Sequence, residues 1–200
     1  SVRMKKWLIY GWLCLPVCLF AFSSEQVPEK EHPVAEYVRN QRNIPERGPV
    51  PQLVGQPYII IDKSDYELRV YDDLGWFATY PAVFGNKSLG DKMMEGDRKT
   101  PEGDYKIIAK RPHKKWSKIM LIDYPTAADW EKFRRRKAKG LIPANASIGG
   151  GIGIHGTWNR DEMAVDYYQN WTNGCVSVKN EEIEELYAII PVGTKVTIQQ

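Results

Sequence analysis

The chain predicts a mostly β domain with two or three short helices, and three observations carry that prediction. From Gln56 onward, short runs rich in β-branched and aromatic residues recur between turn residues. Two stretches among them carry apolar residues at helical spacing instead. The whole chain is 200 residues long, 42% hydrophobic and 26% charged, which fits one core of about 100 to 200 residues plus extra segments.

In chain order, strands are expected at Tyr58 to Asp62, Glu67 to Asp72 and Trp76 to Phe84, parted by Lys63-Ser64-Asp65 and Asp73-Leu74-Gly75 as in a β-meander. Further strands are expected at Asp104 to Lys110, Ile119 to Asp123, Ile152 to His155, Cys175 to Val178 and Lys195 to Ile198. One helix is expected from Thr126 to Lys139, with Trp130 and Phe133 at helical spacing. A second runs from Asn180 to Ile190, with Asn180 as cap, an acidic first turn, and Pro191 and Gly193 to stop it. Its apolar stripe of Ile183, Leu186, Tyr187 and Ile190 should pack on the sheet beside the strand from Cys175.

Two segments precede this domain. Lys5 and Lys6 stand before an uncharged run from Trp7 to Phe22, followed by the small-x-small pattern Ala21-Phe22-Ser23, as in an export signal covering residues 1–23. That run is shorter than the roughly 20 residues a spanning helix needs, and Gly11 and Pro16 interrupt it, so an uncleaved anchor is the alternative reading. Residues 24–55 contain Pro28, Pro33, Pro45, Pro49 and Pro51 and read as a tether, with a core starting no earlier than Gln56. The formal charge of +3 is too small to argue for a nucleic-acid partner.

Cleavage of the leader would remove Cys14 and Cys18 and leave Cys175 alone, a thiol either buried and inert or kept for reactivity in an oxidising compartment. A cysteine attacks as thiolate, and an imidazole nearby serves as its base. His32 lies in the tether. His113 sits in Lys110-Arg111-Pro112-His113-Lys114-Lys115, read as a solvated loop. His155 ends an apolar strand and precedes Gly156-Thr157, where a strand end meets a cleft. Cys175 follows the turn Thr172-Asn173-Gly174, whose glycine permits positive φ and whose N–H, with that of Cys175, could face an oxyanion. Taken singly, a cysteine is more often a small core residue and a histidine a structural one. One His and one Cys also fall short of the ligands zinc wants.

Together, Ile154-His155-Gly156-Thr157 and Thr172-Asn173-Gly174-Cys175-Val176 resemble the L,D-transpeptidase catalytic domain family. Gly96 to Tyr105 resembles its segment before the central strands, and Val192 to Ile198 its closing strand, so the likeness runs from Gln56 to the C-terminus. The resemblance implies a sandwich- or barrel-like β domain acting on peptidoglycan stems. It implies Cys175 as nucleophile, His155 as base then acid, an acyl-enzyme thioester after loss of D-alanine, and meso-diaminopimelate of a second stem as acceptor in a 3-3 cross-link. No metal or cofactor is implied, because the thioester conserves the acyl energy.

Asn173, Gly174 and Gly156 would support the oxyanion and backbone, while Thr157, Thr172, Trp158 and Trp171 are candidate substrate contacts. Asn173 and Ser177 depart from the family's frequent His and its basic or Asn residue, which leaves proton transfer to His155. Attachment of a protein to the wall, hydrolysis by an L,D-carboxypeptidase or an amidase, and an inactive wall-binding module are the other readings. Location in the periplasm or cell envelope follows from the leader, with membrane contact only if it is not cleaved. The basic run Lys132 to Lys139 reads as a solvated face, or as attraction to anionic wall polymer. Trp158, Tyr167, Tyr168 and Trp171 read equally as a loop over the cleft or as core packing.

Overall fold

The computed structural model describes residues 52–158 and 162–200. The expected export signal and almost all of the expected tether lie outside the described residues. At the near end of that segment Leu53 already packs against the core, and Val54 donates to Asp72 Oδ2 at 2.9 Å. Core contacts therefore begin a few residues before Gln56.

Strong alternation makes the first strands. In β1 (Tyr58–Asp62) Ile59 and Ile61 are fully buried, and in β2 (Glu67–Asp72) Leu68 and Val70 are, so every second residue turns inward. β3 (Gly75–Pro81) pairs with β2, and β4 (Gly103–His113) is the long central strand. β5 (Ser117–Ile122), β6 (Gly153–His155), β7 (Val176–Ser177) and β8 (Lys195–Gln199) complete one mixed sheet in the order β3-β2-β1-β8-β4-β5-β6-β7. β1 and β8 run parallel, as do β6 and β7.

β4 runs further than the alternation predicts because of a bulge. Its register slips between Ile107 and Ala109, so residues 103–106 pair with β8 and residues 107–113 with β5. The basic stretch through His113 is thus strand, hairpin-paired to Ser117, and not the solvated loop expected from its charge. The two ends of the sheet also meet. Beyond β3, Val83 and Ser177 exchange backbone hydrogen bonds at 2.9 and 2.8 Å, and Thr172 bonds Phe84 and Asn86. The sheet curls on itself, which is the barrel-like form the resemblance implies.

Helix α1 (Ala127–Ala138) starts with a capping box, the Asp129 carboxylate accepting from the Thr126 N–H at 2.9 Å while Thr126 Oγ1 accepts from Asp129. It buries Phe133 and leaves Trp130 exposed. A short helix α2 (Met163–Asp166) falls in the stretch read only as loop or packing. In α3 (Asn180–Ile189) the cap is Lys179, whose N–H donates to Glu182 at 2.8 Å, and Asn180 is the first helical residue. Ile183, Leu186 and Ile190 are fully buried, and the helix packs on β5 and on β6, the strand beside β7.

Candidate active site

β6 ends in His155, and the turn carrying Cys175 leads into β7 beside it. Register pairs Ile154 with Val176 and His155 with Ser177. Opposite residues of a parallel pair face the same way, and side chains along a strand alternate. Cys175, two residues before Ser177, therefore lies on the same face as the imidazole. The sulfur is half-buried, and its S–H points at the Gly151 carbonyl, 3.7 Å away.

The turn before Cys175 is held by Thr172. Its hydroxyl donates to the Cys175 carbonyl at 2.7 Å and accepts the Gly174 N–H at 3.1 Å. Gly174 adopts φ +133, and a Cβ there would sit 2.8 Å from the Lys99 carbonyl, so only glycine suits the position. Engagement by Thr172 takes the Gly174 N–H out of the oxyanion role expected of it. Likewise the Gly156 N–H donates to the Trp116 carbonyl at 3.1 Å. Thr172 is 3% exposed with both hydroxyl functions occupied, so it braces the turn where a substrate contact was expected.

His155 is 1% exposed. Its Nδ1 lies 2.7 Å from the Gly156 carbonyl, which only accepts, so Nδ1 carries the hydrogen and Nε2 is left with a lone pair. Trp116 stacks on the imidazole with centroids 4.2 Å apart at 18°, His113 stacks on Trp116 at 4.1 Å, and Trp171 meets the His155 ring edge-on at 5.5 Å. Burial lowers the imidazole to about 4, against the Gly156 hydrogen bond that raises it, with the His113 charge lowering it further. Burial also pushes the Cys175 thiol up, opposed by a hydrogen bond from the Gly153 backbone and the charge of Lys92. The pair thus rests as neutral thiol and neutral imidazole. Enhanced alkylation of a preformed thiolate in mild acid, one sign of an activated cysteine, is not what this arrangement predicts.

Of the remaining expected contacts, Thr157 is fully buried and its hydroxyl has no hydrogen-bond partner. Trp158 is 45% exposed under the Lys115 ammonium, and Trp171 packs between Trp116 and Trp158. Tyr167 and Tyr168 are largely exposed. Asn173 is exposed and lines a cleft of about 410 Å³ with Lys92, Glu95, Gly96, Arg98, Gly149, Gly150 and Ile152. Behind this cleft Asp97 accepts from Lys92 at 2.8 Å and from the N–H groups of Met93, Met94 and Lys99. The basic helix is part of the same support. Lys132 and Arg136 of α1 both bind Asp91, and Arg136 also donates to the Lys92 carbonyl. Trp116 and the Lys92–Asp97 pair escape sequence reasoning. A tryptophan after a run of lysines carries no spacing signal, although its place one turn from a strand end is a hint.

Among the described residues no group of three or more His, Cys, Asp and Glu side chains is placed to hold a metal ion. Cys175, just before β7, and His155, at the end of β6, thus lie at two adjacent parallel strands of a curled sheet. The family model YkuD, L,D-transpeptidase catalytic domain, matches residues 56–198, and the chain belongs to this family. It is 31% identical to the candidate L,D-transpeptidase YqjB of Bacillus subtilis over 150 residues, 73% of each chain. It is 27% identical to the candidate L,D-transpeptidase YafK of Escherichia coli over 70% of this chain and 49% of that one. Among solved structures, the helical cell shape determining protein Pgp2 of Campylobacter jejuni superposes with a TM-score of 0.54 at 26% identity, covering 72% of this chain and 48% of Pgp2. The chain therefore spans about half the length of YafK and Pgp2.

Proposed function

We propose that this domain is an exported cysteine acyltransferase that acts on peptidoglycan tetrapeptide stems through a thioester on Cys175. The observation that carries the reading is the placement of a half-buried thiol and an imidazole with a free Nε2 lone pair on one face of adjacent strands. Membership of the L,D-transpeptidase family supports the substrate class. Organisation as an export signal to residue 23 and a proline-rich tether to about residue 55 completes the reading.

His155 Nε2 takes the Cys175 proton as sulfur bonds to the stem carbonyl carbon. As the tetrahedral species collapses, the C–N bond to D-alanine breaks and His155 returns the proton to the leaving amine. The amine of a second stem, or of a wall-attached protein, then attacks the thioester and gives its proton to His155. The C–S bond breaks and the thiol is restored. No electrons are exchanged with any other species, and each proton is accounted for on His155. Neutral resting forms suit this cycle, because a base must arrive unprotonated. With the Gly174 and Gly156 N–H groups engaged, the Cys175 N–H and the Asn173 amide are the donors of the turn assigned to the oxyanion.

Muropeptide profiling of cells expressing the full chain, against Cys175→Ser, tests this. Appearance of 3-3 dimers supports transfer to a second stem. Accumulation of tripeptide stems alone assigns water as acceptor and makes the domain an L,D-carboxypeptidase. An unchanged profile in both strains overturns stem chemistry.

A further inference from the structure

Trp116 sits in the turn between β4 and β5, and its indole is covered on both faces. His113 stacks on one side with centroids 4.1 Å apart at 11°, and His155 on the other at 4.2 Å and 18°. We propose that Trp116 is a positioning residue for His155, fixing the plane of its ring and walling that face from water. The proposal rests on His155 being the proton-transfer residue.

The turn that carries Trp116 is anchored to the end of β6. The Trp116 carbonyl accepts the Gly156 N–H at 3.1 Å, and a Cβ on Gly156 would come 2.7 Å from that oxygen and 2.2 Å from Asn180 Oδ1. Gly156 thus allows the turn to close on the residue following the base. The next two residues are tied to α3, Ser117 and Lys118 both binding Glu184. These links fix the backbone from which the indole projects. Its own Nε1 has no hydrogen-bond partner and no solvent contact. Leaving an indole N–H unpaired is costly, so the ring is held by what it stacks on and not by its polar atom. Trp171 closes the edge, lying 62° to Trp116 and 69° to His155.

The titratable and charged groups set around His155 are Cys175 from the turn before β7, His113 at the end of β4 behind Trp116, and Lys115 of the β4–β5 turn beyond Trp158. At Gly156, α3 presents uncharged Asn180 and Ile183. Shielding by neutral aromatic surface is therefore the chief influence on the imidazole, in keeping with burial as the first cause of its lowering to about 4.

Histidine-labelled full chain followed by NMR against pH reads this directly. The wild-type His155 signal is expected to titrate near 4. In Trp116→Leu, which keeps an apolar side chain but no flat ring, it should rise by about one unit or more as water reaches the exposed face. Trp116→Phe should stay near wild type, a rescue that bulk alone would not give. The acid limb of Cys175 alkylation by iodoacetamide should move up with the NMR titration. Folding of each variant is checked by its thermal transition, with Trp116→Met used if Trp116→Leu does not fold. A folded Leu or Met variant that titrates like wild type overturns the proposal. So does His113→Ala if it reproduces the whole shift, because charge and not stacking would then be the cause. None of these readouts needs transpeptidase product. A negative muropeptide profile beside a shifted titration would defeat stem transfer and leave this inference standing.

Discussion

His155 and Cys175 stand between two flanks built in opposite ways. On one side His113 stacks on Trp116 and Trp171 meets it edge-on, an aromatic cluster with no ion pair inside it among the described residues. On the other, the loop from Asp91 to Glu102 is laced with charge, Lys92 to Asp97 at 2.8 Å with both side chains under 10% exposed, and Asp91 to Lys132 and Arg136 of α1. Under the proposed mechanism, the difference matches what each of the two groups needs. A base works only if it is neutral when the thiol proton comes, and desolvating rings keep it so. A sulfur acquiring negative charge gains from a fixed cation, and Lys92 lowers the Cys175 pKa from the ionic side.

The comparison can be broken first at its centre. Cys175→Ser should abolish the covalent adduct seen by mass spectrometry with a carbapenem, and His155→Ala should slow adduct formation by about 10²- to 10⁴-fold, both with an unchanged thermal transition. An adduct persisting in Cys175→Ser would remove the thiol from the chemistry. Next, Asp97→Ala leaves a buried Lys92 without its partner and should cost about 3–5 kcal/mol in denaturant unfolding. A loss under 1 kcal/mol would mean that the ionic flank adds little to the fold.

Acid titration comes third. His155 binds its proton near pH 4 when folded and 6.5 when not, so the unfolded chain holds more protons in between. Stability from this group is full above pH 6.5 and is lost as pH falls to 4, about 3 kcal/mol in all. Glu182 acts in the opposite sense: burial raises it to about 7 from 4.5, so its contribution is lost as pH rises through that range. Glu182→Gln should therefore steepen the acid loss between pH 4.5 and 6.5, and His155→Gln should flatten it. Smallest is Thr172→Val, which strips the Cys175 carbonyl and the Gly174 N–H of their partner and should cost about 1–3 kcal/mol, read by denaturant midpoint.

What the sequence made legible follows the same divide. β1 and β2 begin and end where the alternation of Tyr58 to Asp62 and Glu67 to Asp72 says, because strict inside-outside periodicity is a local property. Helix ends were read from Thr126, Pro191 and Gly193 for the same reason. The expected partnership of His155 with Cys175 rests on the family likeness, since two residues twenty apart leave no periodic trace. Trp116, the Thr172 brace and the Lys92–Asp97 pair stayed hidden because each depends on a tertiary approach, such as the absent Cβ of Gly156 or of Gly174. Charge misled at Lys110 to Lys115 and at α1. Lys110 reaches the Tyr187 and Ile190 carbonyls at the end of α3, and Lys132 and Arg136 are engaged by Asp91. These three are structural, while Arg111, Lys114, Lys115, Arg134, Arg135 and Lys139 are exposed, as a solvated face would have them.

The bonds that join Val83 to Ser177 and Phe84 and Asn86 to Thr172 close the sheet where its strands are shortest. Because β7 is two residues long, that seam is the place where the ring can part while β1, β2 and β8 keep their pairing. The amide hydrogens of Val83, Asn86, Thr172 and Ser177 should then exchange with solvent on a single shared clock, faster than those of β1. The same opening would unseat Cys175, so the lifetime of that seam sets how long Cys175 stays in register with His155.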